Sequence, residues 1–489
     1  MSKIQQNYPF SIIDATFTEL QQAMETGLLT SRKLVETYFK RIEANDRRGS
    51  NVQAMLALNP FALEQADELD EERKRQGPRG PLHGIPIVVK DNYNTNDMPT
   101  TGGTQVLAGF VPAADCRIVQ NLRNAGAIII GKTNLHELAL IGLTNSTLGG
   151  QTKNPYDLTK TPGGSSGGTG VAVSANFAAA GTGTDTVNSN RSPASANNVV
   201  GIRPTKGLMN LEGILPVSFT QDQAGPIART VEDTALMLEA MIDLDRDYSY
   251  SPGLNPHGLQ GKRIGVLRSF FGNSPIHEEV NRITEAALRQ MQELGAQMID
   301  LTFVDIVTDQ LILELDVQLF ELKHELNRYL SDYQAPVRTI EELLEKGSYD
   351  PAIELILRTA AAIEDPLNDS EYQNRLRKID ELKTMVLEIL DEHQLDAFVY
   401  PHQKRLVVDI GEAAQADRNG ILAALTGCPA ITFPGGFSGA SSTAPMGIPV
   451  GIEFLGRPYD EAKIIQMAFA FEAAVNHRRI PPFIADSNI

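Results

Sequence analysis

Short apolar runs separated by glycine and proline constrain the fold of this chain more than any other feature of its sequence. Three of them are Ile85-Pro-Ile-Val-Val89, Ala127-Ile-Ile-Ile130 and Phe177-Ala-Ala-Ala180. Runs of this length without polar alternation are typical of strands covered on both faces, and the segments between them carry helical patterns. We therefore predict an α/β protein with a large mixed, mostly parallel, twisted β-sheet sandwiched between α-helices.

Helical patterns flank and interrupt this strand-rich region. Residues 1–75 are predicted to form an N-terminal helical layer, because apolar residues recur at helical spacing after Thr30 and Ser31, either of which can cap a first turn. Residues 80–235 are predicted to form the strand-rich catalytic core that carries the signature motifs described below. A helical excursion is predicted for 303–396, with a capping box at Ser370 and Gln373.

Strand-like runs return after this excursion at 397–400, 430–433 and 449–454. A chain that leaves a sheet for about 90 helical residues and then returns to it usually carries an insertion, and such insertions often wall a site. We expect a single domain over 1–489, with the helical excursion beside the substrate.

Composition excludes several classes of protein. The chain has 489 residues, of which 42% are hydrophobic and 21% charged, so it is globular. Its net charge of −18 would repel nucleic acids and anionic lipids, so neither is expected as a partner. The sequence shows no secretory signal and no apolar run long enough to span a membrane, so a cytoplasmic protein is expected.

Cysteine and histidine usage argues against two further kinds of site. Cys116 and Cys428 are too few for a disulfide framework, and their scarcity fits a reducing compartment. The eight histidines show no metal-binding spacing. We expect no metal and no cofactor.

The glycine- and serine-rich segment 161–170, TPGGSSGGTG, is the most unusual local sequence. It runs directly into an apolar stretch, which is unusual for a flexible linker, and it lacks the lysine that closes a phosphate-binding loop. A catalytic loop is the remaining interpretation, because glycines let a serine approach a reacting group. Ser165 in this loop, Ser189 downstream and Lys90 at the end of an apolar run are the candidate catalytic residues.

An ordered series of motifs resembles the amidase signature family. Its members are Arg79-Gly-Pro-Leu-His-Gly-Ile-Pro-Ile87 with Lys90-Asp-Asn92, Gly131-Lys-Thr-Asn134, Gly163-Gly-Ser-Ser-Gly-Gly168, Gly183-Thr-Asp185 with Ser189 and Arg191, Gly201-Ile-Arg-Pro-Thr205, Asp222-Gln-Ala-Gly-Pro226, Gly427-Cys-Pro429 and Pro449-Val-Gly451. Any one motif can arise by chance, but chance does not account for the ordered set over about residues 30 to 470. The resemblance implies the amidase signature fold and the cleavage of a carboxamide.

The resemblance also implies roles for individual residues. Ser189 would be the acyl-accepting nucleophile, Ser165 a proton relay that follows a cis peptide bond, and Lys90 the base. A lysine accepts a proton only when it is neutral, so burial must lower the pKa of Lys90. The backbone N–H groups of Thr186, Val187, Asn188 and Ser189 would form the oxyanion hole.

Supporting roles fall to Asp185, Arg191 and Ser166, with a structural ion pair between the first two as the preferred role. No substrate-binding residue is assigned from the sequence.

Four positions around the predicted nucleophile depart from the family pattern. Val187 and Asn188 stand where glycines are usual, Asn190 where an aliphatic residue is common, and Asn198 where glycine is common. A β-branched residue resists positive φ, so Val187 can be accommodated only if its φ is negative. We interpret the departures as a reshaped acyl pocket, with extra amide groups contacting the substrate.

The preferred function is therefore an amidase that hydrolyses a small-molecule or peptide-terminal amide through an acyl-enzyme. Three alternatives remain: a biosynthetic acyl transferase that forms amides, a subunit of a tRNA-dependent amidotransferase, and a catalytically silent binding protein. A homodimer is the expectation from base rates.

Overall fold

The computed structural model describes residues 10–243 and 249–485, so the first nine residues of the predicted helical layer lie outside the described part. The α-helices are α1 Phe17–Glu25, α2 Ser31–Asn45, α3 Ala62–Gln76, α4 Arg117–Asn124, α5 Gly167–Ser174, α6 Arg191–Ala196, α7 Val231–Met241, α8 Glu278–Glu293, α9 Thr308–Leu315, α10 Gln318–Asp332, α11 Ile340–Lys346, α12 Glu354–Ala361, α13 Ser370–Glu392, α14 Ile421–Thr426, α15 Glu461–Val475 and α16 Pro482–Ala485. The strands are β1 Met55–Leu58, β2 Pro86–Lys90, β3 Ile128–Thr133, β4 Asn145–Ser146, β5 Gly150–Gln151, β6 Ala180–Asp185, β7 Val200–Arg203, β8 Gln223–Ala228, β9 Arg263–Val266, β10 Gln297–Asp300, β11 Ala397–Pro401, β12 Ala430–Phe437 and β13 Pro449–Leu455.

One large mixed sheet organises the molecule, which confirms the predicted α/β fold. It has 11 strands in the order β1-β3-β2-β6-β8-β7-β12-β13-β11-β9-β10. The predicted parallel majority is wrong: four neighbouring pairs are parallel and six are antiparallel. A short buried apolar run looks the same in either direction, so sequence texture does not distinguish the two arrangements.

Both faces of the sheet are covered, as its strands require. In β11, Val399 packs into one hydrophobic cluster while its neighbours Phe398 and Tyr400 pack into another. Successive side chains of a strand point to opposite faces, so the two clusters lie on opposite sides of the sheet. The first cluster includes residues of α2, α7 and α15, and the second includes residues of α9, α13 and α14.

Helices α9 to α13 occupy most of 303–396. The predicted capping box at Ser370 and Gln373 is wrong. Asp369 caps α13 by accepting hydrogen bonds from the N–H groups of Glu371 and Tyr372, and the Gln373 side chain donates to the carbonyl of Leu367. A carboxylate one position earlier competes for the same free N–H groups. No helix within the described ranges has the length and apolar character needed to span a bilayer.

The candidate catalytic residues meet at one edge of the sheet. Strands β2 and β6 are parallel neighbours, and Lys90 is the last residue of β2, while Ser189 follows the end of β6. Ser165 precedes α5, a helix that contacts both strands. The carboxyl ends of parallel neighbouring strands lie side by side, so β2 and β6 bring two distant segments of sequence together. Binding sites of open α/β sheets commonly lie at the carboxyl ends of their strands.

Asp233, in the first turn of α7, allows the packing of α7 against α1 to be tested through the pH dependence of stability. It is fully buried, one carboxylate oxygen accepts from the N–H of Phe17 at 2.9 Å, and burial raises its pKa to about 7. A carboxyl whose folded-state pKa lies above its unfolded value stabilises the fold fully below about pH 4, and this stabilisation is lost as pH rises through 7.

We expect Asp233→Asn to remove this dependence, because the amide keeps the acceptor for Phe17 without a charge. The melting temperature of the variant should rise relative to wild type between about pH 5 and pH 7.5, as measured by differential scanning fluorimetry. Parallel melting curves across that range would contradict the assignment.

Candidate active site

Lys90 lies in a fully buried position and donates two hydrogen bonds. Its Nζ is 2.8 Å from Ser165 Oγ and 2.7 Å from Thr184 Oγ1. Burial lowers the pKa of Lys90 to about 7, against the opposing charges of Asp222 and Asp185. An amine with this pKa is substantially neutral at physiological pH, so it can accept a proton.

A neighbouring lysine shows what distinguishes Lys90. Lys132, on the adjacent strand β3, is equally buried, but it forms an ion pair with Asp91 at 3.1 Å. Lys90 has no carboxylate within 4 Å among the described residues. The absence of a partner leaves burial as the dominant influence on the pKa of Lys90.

Ser165 follows a cis peptide bond from Gly164 and is fully buried. Glycine is required at 164, because an added Cβ would lie 2.7 Å from the backbone carbon of Gly142. The next residue, Ser166, precedes α5, and its N–H donates to the carbonyl of Ser189 at 3.1 Å. This bond brings the glycine-rich loop and the nucleophile segment into contact.

Ser189 lies between β6 and α6 and is 8% exposed, whereas Lys90 and Ser165 have no exposed surface. Of these three residues, Ser189 is therefore the one that solvent can reach. The Ser189 hydroxyl is hydrogen-bonded to no other described residue. The structure thus links Lys90 to Ser165 by a side-chain hydrogen bond, and it links Ser189 to the loop of Ser165 by the backbone hydrogen bond from Ser166.

The turn Thr186–Ser189 has an unusual asymmetry in its backbone hydrogen bonds. All four of its carbonyl oxygens accept a bond. The donors, in chain order of the acceptors, are Gln221 Nε2 at 3.3 Å, Arg191 Nη2 at 2.8 Å, Ser192 N at 2.7 Å and Ser166 N at 3.1 Å. None of the four N–H groups donates to a described residue. The turn can therefore offer several backbone donors to an oxyanion.

Asp185 and Arg191 form a buried ion pair behind this turn. Arg191 Nη2 is 3.0 Å from Asp185 Oδ1, and Arg203 approaches the same oxygen at 3.0 Å. Burial opposes ionisation of Asp185, but the two guanidinium groups hold its pKa below the ordinary value. Asp185 also accepts from the N–H groups of Asn190 and Arg191, which fixes the start of α6.

Glu453 and His402 extend this network, and the sequence reasoning missed both. Glu453 Oε1 lies 2.5 Å from Arg191 Nη1, and Glu453 Oε2 lies 2.6 Å from His402 Nδ1. Burial disfavours its charge, but Arg191 and His402 lower the pKa of Glu453 to about 2. A carboxylate inside the apolar run of β13 was a usable signal, because a buried charge needs a partner.

Three of the four departures from the family pattern have structural explanations. The φ of Val187 is not positive, as its side chain required, and Val187 packs in the cluster of Leu315 and Val317. Asn198 adopts a φ of 55°, a conformation that asparagine tolerates.

The side-chain amide of Asn190 is hydrogen-bonded within the protein. Its Nδ2 donates to the carbonyls of Ile202 and Pro226 in the core. The Asn188 amide nitrogen is buried and has no partner among the described residues. The reshaped turn is therefore packed mainly against the protein itself.

A cavity of about 550 Å³ lies beside this site, between the segment 206–223 and helix α10. Thr184 and Asp222 line it, but Lys90, Ser165 and Ser189 do not. The cavity thus borders Thr184, the hydrogen-bond partner of Lys90. Within residues 10–243 and 249–485, no group of three His, Cys, Asp or Glu side chains could hold a metal ion.

Comparisons with known proteins identify the family. The family model described as Amidase matches residues 33–465. The structure resembles that of a peptide amidase from Stenotrophomonas maltophilia, with 35% identity, a TM-score of 0.88, and coverage of 98% of this chain and 100% of the other. The chain belongs to the amidase family, so the resemblance is confirmed and the protein is an amidase-type enzyme.

Two sequence relatives have different activities in their names. Mandelamide hydrolase of Pseudomonas putida is 32% identical, with coverage of 97% of this chain and 94% of the relative. A glutamyl-tRNA(Gln) amidotransferase subunit of Halorhodospira halophila is 30% identical, with coverage of 95% of this chain and 98% of the relative. The family thus includes both hydrolases and an amidotransferase component.

Glu453→Gln tests the buried network. The substitution leaves Arg191 without its 2.5 Å carboxylate partner, and breaking a buried pair costs about 3–5 kcal/mol. We expect a loss of this size in the free energy of unfolding, measured by denaturant titration. Glu381→Gln is the matched control, since its pair with Arg377 is exposed and contributes roughly 0–1 kcal/mol. Equal effects of the two substitutions would contradict a structural role for Glu453.

Proposed function

We propose that this protein hydrolyses a carboxamide through an acyl-enzyme on Ser189, with Ser165 as relay and Lys90 as base. The observation that carries the proposal is the hydrogen bond of 2.8 Å between Lys90 Nζ and Ser165 Oγ in a site sealed from water. A buried amine without a carboxylate partner, held on a hydroxyl, is suited to take up a proton and return it.

In the first half of the reaction, the Ser189 hydroxyl loses its proton through Ser165 to Lys90 as Oγ attacks the amide carbon. The negative charge that develops on the carbonyl oxygen is stabilised by free N–H groups of Thr186–Ser189, whose carbonyls are all engaged elsewhere. The tetrahedral intermediate then collapses, the C–N bond breaks, and the proton held by Lys90 passes through Ser165 to the leaving amine.

In the second half, water attacks the ester on Ser189 and transfers a proton along the same path to Lys90. The C–O bond to Ser189 breaks, the serine regains its proton, and the carboxylic acid leaves. Every proton in these steps is carried by water or by a side chain of the protein.

We prefer hydrolysis to acyl transfer. The departures around Ser189 suggested an acyl acceptor other than water, but two of these residues are engaged within the protein itself. The amide of Asn190 is bonded within the core, and Val187 packs against apolar neighbours. The names of the peptide amidase and mandelamide hydrolase relatives also favour amide cleavage, with a small-molecule or peptide-terminal amide as the substrate.

A second candidate is an amidotransferase component, favoured by the relative named as such. Ammonia release by the purified chain alone would support the hydrolase. Activity that appears only in the presence of partner proteins would support the amidotransferase. Sedimentation of the same preparation would test the predicted homodimer.

Ser189→Ala should abolish amide hydrolysis with the fold intact. The only other hydroxyl on the described turn 186–189 is that of Thr186, and it cannot replace Ser189 because it is hydrogen-bonded to Asp222 at 2.6 Å. We expect turnover to fall by about 10³-fold or more, measured as ammonia release. Ser192→Ala is the matched control, since it removes a hydroxyl one turn further along and should keep wild-type turnover. Undiminished activity of Ser189→Ala would refute the acyl-enzyme.

The pH dependence of kcat/KM should report the protonation of Lys90. The base must be neutral, and burial lowers its pKa to about 7, so activity should rise as pH increases through 7 and be lost below it. Initial rates from about pH 5 to 9, with circular dichroism at each pH as a check of folding, provide the measurement. A rate that is constant over this whole range would argue against a lysine base.

A further inference from the structure

Arg418 is a half-buried arginine that makes no hydrogen bond and no ion pair within 4 Å among the described residues. None of its side-chain nitrogens is sealed from solvent without a partner, so the guanidinium is accessible to a ligand. The buried Arg191 and Arg203, in contrast, each donate to carboxylate and carbonyl acceptors. A guanidinium offers five donors and stays charged, so Arg418 is a strong donor without an acceptor.

The backbone around Arg418 is held firmly. Arg418 pairs with Gln403 in an antiparallel bridge, and the adjacent Lys404 N–H donates to the carbonyl of Asp417 at 2.9 Å. The side chain of Asn419 donates to the carbonyl of Phe270 at 2.9 Å and to that of Pro401 at 2.7 Å. The backbone that carries the guanidinium is therefore held in place, which reduces the conformational entropy that is lost when a ligand binds.

Two segments connect Arg418 to the catalytic turn. Gly420, two residues further on, accepts from Arg191 Nη2 at 2.9 Å, and a Cβ added to Gly420 would lie 2.5 Å from Asn188 Cβ. Asn188 is the residue before Ser189. Arg418 thus belongs to a loop that touches the turn carrying the proposed nucleophile.

The second segment is the one that contains Asp316, whose charge acts on Arg418. The N–H of the next residue, Val317, donates to Gln221 Oε1 at 2.8 Å, and Gln221 Nε2 donates to the carbonyl of Thr186 at 3.3 Å. Arg418 is therefore connected to the turn 186–189 directly through Gly420 of its own loop, and indirectly through the segment of Asp316 and Val317 by way of Gln221.

Charge distinguishes the kinds of acceptor that Arg418 can bind. Asp316 and Asp309 both act on its guanidinium, and the chain as a whole carries a net charge of −18. A carboxylate ligand would be repelled by both neighbours, whereas a neutral carbonyl oxygen would accept a hydrogen bond without that cost.

We propose that Arg418 is a specificity-determining residue that donates to a neutral carbonyl in the acyl portion of the substrate. This inference rests on the proposed amide hydrolysis and narrows its substrate class to N-acylated aminoacyl amides, that is, peptides with a terminal carboxamide. A peptide carbonyl lies a few bonds from the scissile amide, and Arg418 is two residues from the loop position that abuts the turn.

The test compares three amides in one assay of ammonia release. N-acetyl-leucinamide carries the carbonyl, 4-methylpentanamide has the same side chain without it, and succinamate carries a carboxylate instead. In Arg418→Met, kcat/KM for N-acetyl-leucinamide should fall about 10- to 100-fold, as expected for a hydrogen bond to a charged donor, while that for 4-methylpentanamide stays unchanged. Arg418→Lys should restore part of the loss.

Arg289→Met is the matched control, since it removes the same charge from an exposed position on α8. Equal losses for the two neutral amides, or no loss for either, would overturn the role of Arg418 and leave amide hydrolysis standing. A loss confined to succinamate would overturn the neutral acceptor. Wild-type protein that releases no ammonia from any of the three amides would refute both the proposed function and this inference.

Discussion

The guanidinium of Arg191 is the contact on which the geometry of the catalytic turn depends. It binds Asp185 at the end of β6, the carbonyl of Val187 in the turn, the carbonyl of Gly420 and the carboxylate of Glu453 in β13. These partners come from three regions of sequence, and one planar group with five donors can satisfy them together. Arg191 binds the Val187 carbonyl, and the four N–H groups of the turn 186–189 donate to no described residue.

Two buried cations in this protein are treated in opposite ways. Arg191 has two carboxylate partners, so its charge is permanent and its position is rigid. Lys90 has only hydroxyl partners, so its charge is easily lost. The difference follows from the neighbours rather than from depth, since both side chains are fully buried. In the proposed mechanism, Arg191 therefore supports the turn and Lys90 transfers the proton.

Much of the site could be predicted from the sequence because its residues lie in short, contiguous motifs. Lys90 ends an apolar run, and Ser165 lies among glycines that a close backbone approach requires, so local patterns pointed to both. Glu453 contacts Arg191 across 262 residues of sequence and His402 contacts Glu453 across 51, and no local pattern reveals contacts over such separations. The direction of the strands was mispredicted for the same reason, since pairing is a non-local property.

The polar residues near Ser189 illustrate a further limit. Asn190 looked available to a substrate because it follows the nucleophile, but its amide bonds carbonyls of β7 and β8. Where a turn leads into a helix, as at Ser189 and α6, the place of a residue in the sequence does not show which way its side chain points. In Arg418 the opposite holds: nothing in the sequence marks it, and its significance comes from the absence of a partner in the described part of the folded chain.

The four anchored carbonyls of the turn 186–189 also bear on how new specificities can evolve in this scaffold. Their donors come from Gln221, Arg191, Ser192 and Ser166, and none of these belongs to helices α9 to α13. Mutations in those helices therefore leave the backbone anchors of the turn in place, and they act on the turn through side-chain packing, as at Leu315 of α9, which shares a hydrophobic cluster with Val187. The hydrogen-bonding framework of the turn can thus be inherited unchanged while its apolar surroundings diverge.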